Sequence, residues 1–247
     1  MITTISSSPE DQQPDILNDD IFPLSQMIPG IVHNISNPLT IIKVRSQLLQ
    51  NKMPESPVFP ALLDNVAKIE DILGNLADRI NNLNSNEIRP ISLKNLINTE
   101  IKYLDADLNF KHKITKTIDM QESQPFIKAS YLHLSTGLLA TISALIKTME
   151  PDNTHTLGIS VTCLDEQILL KLTTSGPGLA AIEIPLFIEL IGYPDFFSAL
   201  KAAPTASPAL RLLTRAFFCF RPYISDFSLS PHPGGEFECL ISFPTGK

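Results

Sequence analysis

The sequence predicts a long antiparallel helical hairpin, paired with a second copy as a dimeric four-helix bundle, followed by an α+β sandwich. Three observations carry this expectation. First, Leu62, Val66, Ile69, Leu73, Leu76, Ile80 and Leu83 recur at alternating spacings of four and three, a heptad seam held for three repeats. Second, a helical stripe of Ile28, Ile31, Ile35, Ile42 and Leu49 precedes it, and the prolines of Met53-Pro54-Glu55-Ser56-Pro57 mark a turn between the two. Third, beyond Pro90 helices and strands follow one another without strict alternation, the order expected of an α+β domain. A lone hairpin leaves much apolar surface in water, so pairing with a second copy is the economical solution.

In chain order, residues 1–20 read as a flexible acidic tail carrying Glu10, Asp11, Asp15, Asp19 and Asp20. The hairpin domain spans 21–86, with its first helix from about Phe22 to Lys52. Residues Glu87 to Pro90 read as a linker, with Pro90 closing the second helix. Within the second domain, 91–247, helices are expected near 92–105, 130–149 and 206–220. Strands are expected near 112–119, 156–163, 168–174, 223–229 and 236–243. The last alternates best, Phe237, Cys239 and Ile241 facing away from Glu238, Leu240 and Ser242. Pro177, Pro185, Pro194, Pro204 and Pro208 imply irregular connections between. Asp105 and Asp107 read as surface charges.

Composition narrows the function. Hydrophobic residues at 43% and charged residues at 18% describe an ordinary globular chain. The net charge of −7 and the lack of any basic stripe argue against nucleic acid. Cys163, Cys219 and Cys239 are odd in number and have no metal-ligand spacing, which suits buried thiols in a reducing cytoplasm. The start lacks a basic segment followed by an apolar run, and the longest apolar stretch, near Gly137 to Ile146, is too short to span a bilayer. Membrane insertion is therefore not expected, and the signal should arrive through another protein. His112, His133, His155 and His232 show no ligand spacing, and no nucleophile elbow is visible.

Chemistry concentrates at His33-Asn34-Ile35-Ser36-Asn37-Pro38-Leu39-Thr40. On a helix His33 points away from the apolar stripe, and Asn37 follows one turn later on the same outward face. Pro38 lacks an N–H, so the helix is expected to bend just below the histidine.

This string resembles the phosphoacceptor box of the histidine-kinase dimerisation domain, where an acidic residue follows the histidine. Here that residue is Asn34. The family's carboxylate is the base that activates the histidine toward ATP, and an amide cannot accept the proton. Asn37 matches the family position that orients water for dephosphorylation of the partner. Residues 91–247 resemble the ATPase domain shared by histidine kinases, gyrase and mismatch-repair proteins. Ala140 and Ala144, within Leu134 to Lys147, stand where the family has two asparagines that hold Mg²⁺ and phosphates. Thr174-Ser175-Gly176-Pro177-Gly178 stands for Asp-x-Gly-x-Gly, with Thr174 in place of the adenine-reading Asp. Pro204-Thr205-Ala206-Ser207-Pro208-Ala209 stands for the lid without one glycine, and Gly234-Gly235-Glu236-Phe237 fits the family's end.

The resemblance implies a homodimer similar to the dedicated histidine phosphotransferases of sporulation and cell-cycle relays. His33 is then the phosphoacceptor, with Asn34 and Asn37 as orienting residues and response-regulator receiver domains as partners. No cofactor is bound stably, ATP is not used, and Mg²⁺ arrives with the receiver. Two readings stand beside this one: a non-catalytic pseudokinase that sequesters a receiver or a partner kinase, and a divergent autokinase with a rebuilt nucleotide site.

Overall fold

The computed structural model describes residues 18–120, 125–149, 153–164, 166–176, 178–180, 183–231 and 236–245, with side chains of the first helix from Gly30 onward. Glu10, Asp11 and Asp15 of the expected tail, together with Pro177, His232, Gly234 and Gly235, lie outside the described residues. Asp19 and Asp20, expected in the tail, belong instead to helix α1 (Asn18–Lys52).

α1 and α2 (Val58–Leu83) form the hairpin, joined by the expected proline turn. Its seam is narrower than the heptads suggest. Val32, Leu39 and the buried Ser46 of α1 lie on one face, and Leu39 packs with Val66 and Leu73 of α2. Lys43 Nζ donates to Glu70 across the seam at 2.7 Å. The stripe read as the packing face of α1 does something else: Ile31, Ile35, Ile42 and Leu49 are 40–46% exposed. On α2, Leu62 and Ile69 are equally open.

Both open stripes lie on one side of the hairpin. On a wheel of about 100° per residue, each is displaced by about 60°, in the same sense, from its own helix's contact line. Because the helices run antiparallel, equal displacements carry both stripes to the same side. The result is a continuous apolar face that the single chain leaves uncovered.

Pro90 does not close α2, which ends seven residues earlier. It lies in strand β1 (Ile88–Ser92), which pairs antiparallel with β3 (Phe126–Ser130), Pro90 opposite Lys128. A two-stranded ribbon has only edges, where a residue without an N–H is tolerated. Between them come α3 (Leu93–Leu104), capped by Ser92 Oγ accepting from Asn95 N at 3.3 Å, the short α4 (Leu108–Lys113), and β2 (Ile114–Met120). Asp105 and Asp107 are more than surface charges. Asp105 receives Lys116 Nζ at 2.6 Å, and Asp107 caps α4 by accepting from Asn109 N at 2.7 Å.

The remaining elements are α5 (Tyr131–Lys147), β4 (His155–Leu164), β5 (Gln167–Thr174), α6 (Glu183–Leu190), α7 (Phe196–Ala202), α8 (Pro208–Phe220), β6 (Asp226–Pro231) and β7 (Phe237–Pro244). The proline-rich stretch therefore holds two helices where irregular chain was expected. Pro185 and Pro208 fall in first turns, where proline costs no hydrogen bond, and Asp195 caps α7 through Ser198 N at 2.9 Å.

Five strands form one sheet in the order β2-β4-β5-β7-β6, with β2 and β4 parallel and the other pairs antiparallel. Alternate residues such as Leu157, Ile159, Leu170, Leu172, Phe237 and Ile241 share one buried cluster with α3, α5 and α8. The other face carries groups such as Lys171 and Glu238, ion-paired at 2.6 Å. Gly137 lets α5 approach α8, since an added Cβ would lie 2.7 Å from the Phe220 ring.

Hairpin and sandwich meet at a buried polar junction. Glu100 of α3 is fully buried and accepts from Arg79 Nε of α2 at 2.9 Å, from Tyr131 OH at 3.1 Å and from Ser135 Oγ at 2.6 Å. The Arg79 guanidinium lies 3.9 Å over the Tyr103 ring. Burial, with the Glu100 charge beside it, pushes the Tyr131 phenol far above its usual range, so it stays a neutral donor.

Candidate functional site

His33 is exposed on α1, which runs through Pro38 without interruption. Asn37 sits one turn on, and its Nδ2 lies 3.4 Å from His33 Nε2. An amide N–H donates, so with its proton on Nδ1 the ring would accept this contact at Nε2. In that tautomer the Nε2 lone pair is directed at the Asn37 amide, on the exposed side of the helix. Asn34, also exposed, lies about 100° round the helix from His33. The structure thus brings together two of the three expected site residues, His33 and Asn37, and sets Asn34 to one side.

One feature of this face was missed in the sequence. Ile41, Val44 and Leu48 are 54%, 48% and 57% exposed and share the angular sector of His33 and Asn37. Their i, i+3, i+7 spacing was legible, but it runs out of phase with the stronger isoleucine stripe and was masked by it. The histidine therefore stands at one end of an exposed apolar track.

In the sandwich, Ala140 and Ala144 are buried on α5 and present only methyl groups. Thr174 is also buried, and its Oγ1 accepts from Gly176 N at 3.1 Å. Gly178 has φ +65, and an added Cβ there would overlap the Phe237 ring. The segment before α8 is tied down: Arg211 Nε donates to Ala206 O at 3.0 Å and its Nη2 donates to Pro204 O, while Ser207 Oγ caps α8 through Leu210 N at 3.1 Å.

His133 Nδ1 lies 2.9 Å from Tyr223 OH, and burial lowers its pKa. Burial pushes the Cys219 thiol up to about 12 and the Cys239 thiol higher still, leaving both unreactive. Among the described residues no group of His, Cys, Asp and Glu is placed to hold a metal ion, and no helix is long and apolar enough to cross a membrane.

No protein-family model and no curated protein matches the sequence. Among solved structures, the fold is similar to the catalytic domain of the histidine kinase ThkA in a nucleotide-free form. The likeness has a TM-score of 0.50 at 12% identity, covering 64% of this chain and 96% of that domain. The Acinetobacter baumannii histidine kinase AdeS aligns at 17% identity with a TM-score of 0.48, covering 87% of this chain and 98% of that one. The fold is that of a histidine-kinase ATPase domain, preceded here by a two-helix hairpin.

Proposed function

We propose that this chain is a two-component signalling protein whose His33 carries a phosphoryl group between response-regulator receiver domains, without ATP. The observation that carries the reading is the exposed His33–Asn37 pair, set at one end of an exposed apolar track. Nε2, released from the Asn37 amide, attacks the phosphorus of a receiver's aspartyl phosphate. The N–P bond forms, the P–O bond to the aspartate breaks, and the carboxylate leaves with the electron pair. Attack by the aspartate of a second receiver reverses the step. The receiver brings the Mg²⁺ that neutralises the phosphoryl oxygens, and Ile41, Val44 and Leu48 offer it a surface. The chain acts as a homodimer, the second copy covering the apolar face of α1 and α2.

The buried Ala140 and Ala144, the engaged Thr174 hydroxyl and the tethered segment before α8 support a sandwich that does not use nucleotide. Alanine offers a metal no oxygen. Calorimetry with millimolar Mg-ATP should therefore show no saturable heat. A dissociation constant below about 100 µM, near −5.5 kcal/mol, would restore the autokinase reading.

The test of transfer uses receivers preloaded by a small phosphodonor. Acid-labile, base-stable label should appear on the wild type and not on His33→Gln. If no receiver passes label to the protein, and His33→Gln still binds receivers and behaves as wild type in cells, a pseudokinase scaffold replaces this proposal.

A further inference from the structure

We infer that the groove between α2 and α3 is an intersubunit socket, in which the α3 helix of one copy braces the phosphoacceptor helix α1 of the other. The inference rests on the homodimer proposed above. It concerns a surface that a bundle of hairpins alone does not require.

The groove holds about 620 Å³ and is walled mainly by apolar atoms, with Ile72, Leu76 and Arg79 from α2 facing Thr99, Lys102 and Tyr103 from α3. Ile72 is 65% exposed, the most open large apolar side chain of α2, and Tyr103 is 43% exposed. Stacking of Arg79 on Tyr103 and the buried Arg79–Glu100 pair fix the two walls relative to each other. The socket is therefore preformed.

Two arguments identify a second copy as the occupant. The first is continuity. Leu76 belongs both to the groove and to the heptad set, so the groove extends the uncovered face of Ile31, Ile35, Ile42, Leu62 and Ile69. Half-open side chains of this size each leave on the order of 50–100 Å² to bury. With Leu49, Val58 and Ile72 added, the face approaches the roughly 800 Å² per partner of a stable interface.

The second is register. The Lys43–Glu70 pair and the Leu39, Val66 and Leu73 cluster place the residue-30s of α1 level with the residue-70s of α2. A two-fold axis along the bundle sets the second copy's α1 at the same height on the far side of α2. On that flank the outward side of α1 carries Gly30 and Asn34, opposite the α3 wall. Nothing lies within 4 Å of a Cβ added at Gly30, so that position stays open in the single chain.

The experiment is crosslinking between differently tagged copies in a Cys163→Ser background, Cys219 and Cys239 being buried. One copy carries Tyr103→Cys and the other Gly30→Cys, joined by a short bismaleimide. Leu76→Cys with Ile35→Cys reports the bundle itself, and light scattering reports the dimer. Lys102→Cys, on the same face of α3, replaces Tyr103→Cys if that variant melts early by circular dichroism. The expected result is a mixed-tag band from both pairs. A dimer that crosslinks only through Leu76 and Ile35 overturns the socket and leaves the bundle standing. A chain that is monomeric by scattering overturns the dimer and the socket together. Protection of the Tyr103 or Lys102 cysteine only by added receiver domain, with no mixed-tag band, assigns the groove to the receiver and also overturns the socket.

Discussion

Arg79→Met should lower the free energy of unfolding by about 3–5 kcal/mol, the usual cost of leaving one member of a buried ion pair alone. Glu100 is fully buried and Arg79 is nearly so. Methionine fills much of the same space but leaves the carboxylate with only the neutral Tyr131 and Ser135 donors. Stacking on Tyr103 is lost as well, a smaller contribution of about 0.5–1 kcal/mol at so open a ring. The double variant Arg79→Met/Glu100→Gln should recover most of the loss, because the glutamine carbonyl still accepts from Tyr131 and Ser135 and no charge remains buried. Urea unfolding at fixed protein concentration gives both numbers from midpoint and slope. A single-variant cost below about 1 kcal/mol would mean that the pair contributes no more than a surface ion pair, and that the walls of the α2–α3 groove are not held by it.

That junction also marks where sequence reasoning ended. Arg79 and Glu100 are twenty-one positions apart, and no periodicity links them; only the approach of α3 to α2 does. What could be read was what repeats. The heptads of α2 and the alternation of β7 each announce a period, and those elements formed within a few residues of expectation. The short elements were missed for a physical reason. β1 and β3 have five residues each and α4 has six, too few for a period to show. The short helices α4 and α7 are signalled only by single capping groups, Asp107 and Asp195, which look like surface charges until the partner N–H is known. Proline misled twice, at Pro90 and at Pro185, because edge strands and first helical turns accept it. At the site, His33 and Asn37 were legible from helical spacing. The apolar track beside them was not, since a stronger stripe on the same helix dominated the pattern.

The two stripes of the hairpin differ enough that aspartate at neighbouring heptad positions should give opposite outcomes. Leu73 is 8% exposed and packs with Leu39 and Val66 inside a single chain. Leu73→Asp buries an unpaired carboxylate and removes packing, each worth several kcal/mol, so the hairpin should unfold and lose helical circular dichroism. Ile69 is 40% exposed, on the face that a single chain leaves uncovered. Ile69→Asp should change the fold of one chain by no more than about 0.5 kcal/mol, as surface substitutions do. In the proposed dimer the same carboxylate, and its two-fold mate, would lie in the desolvated centre of the interface. Light scattering should then read one chain's mass with full helical signal retained. Ile69→Asp remaining dimeric would place the interface elsewhere, and Ile69→Asp unfolding like Leu73→Asp would mean that the hairpin has no stable existence outside the dimer. The contrast uses two residues one turn apart on α2, so length, charge and helix propensity are matched, and only the direction each side chain faces differs.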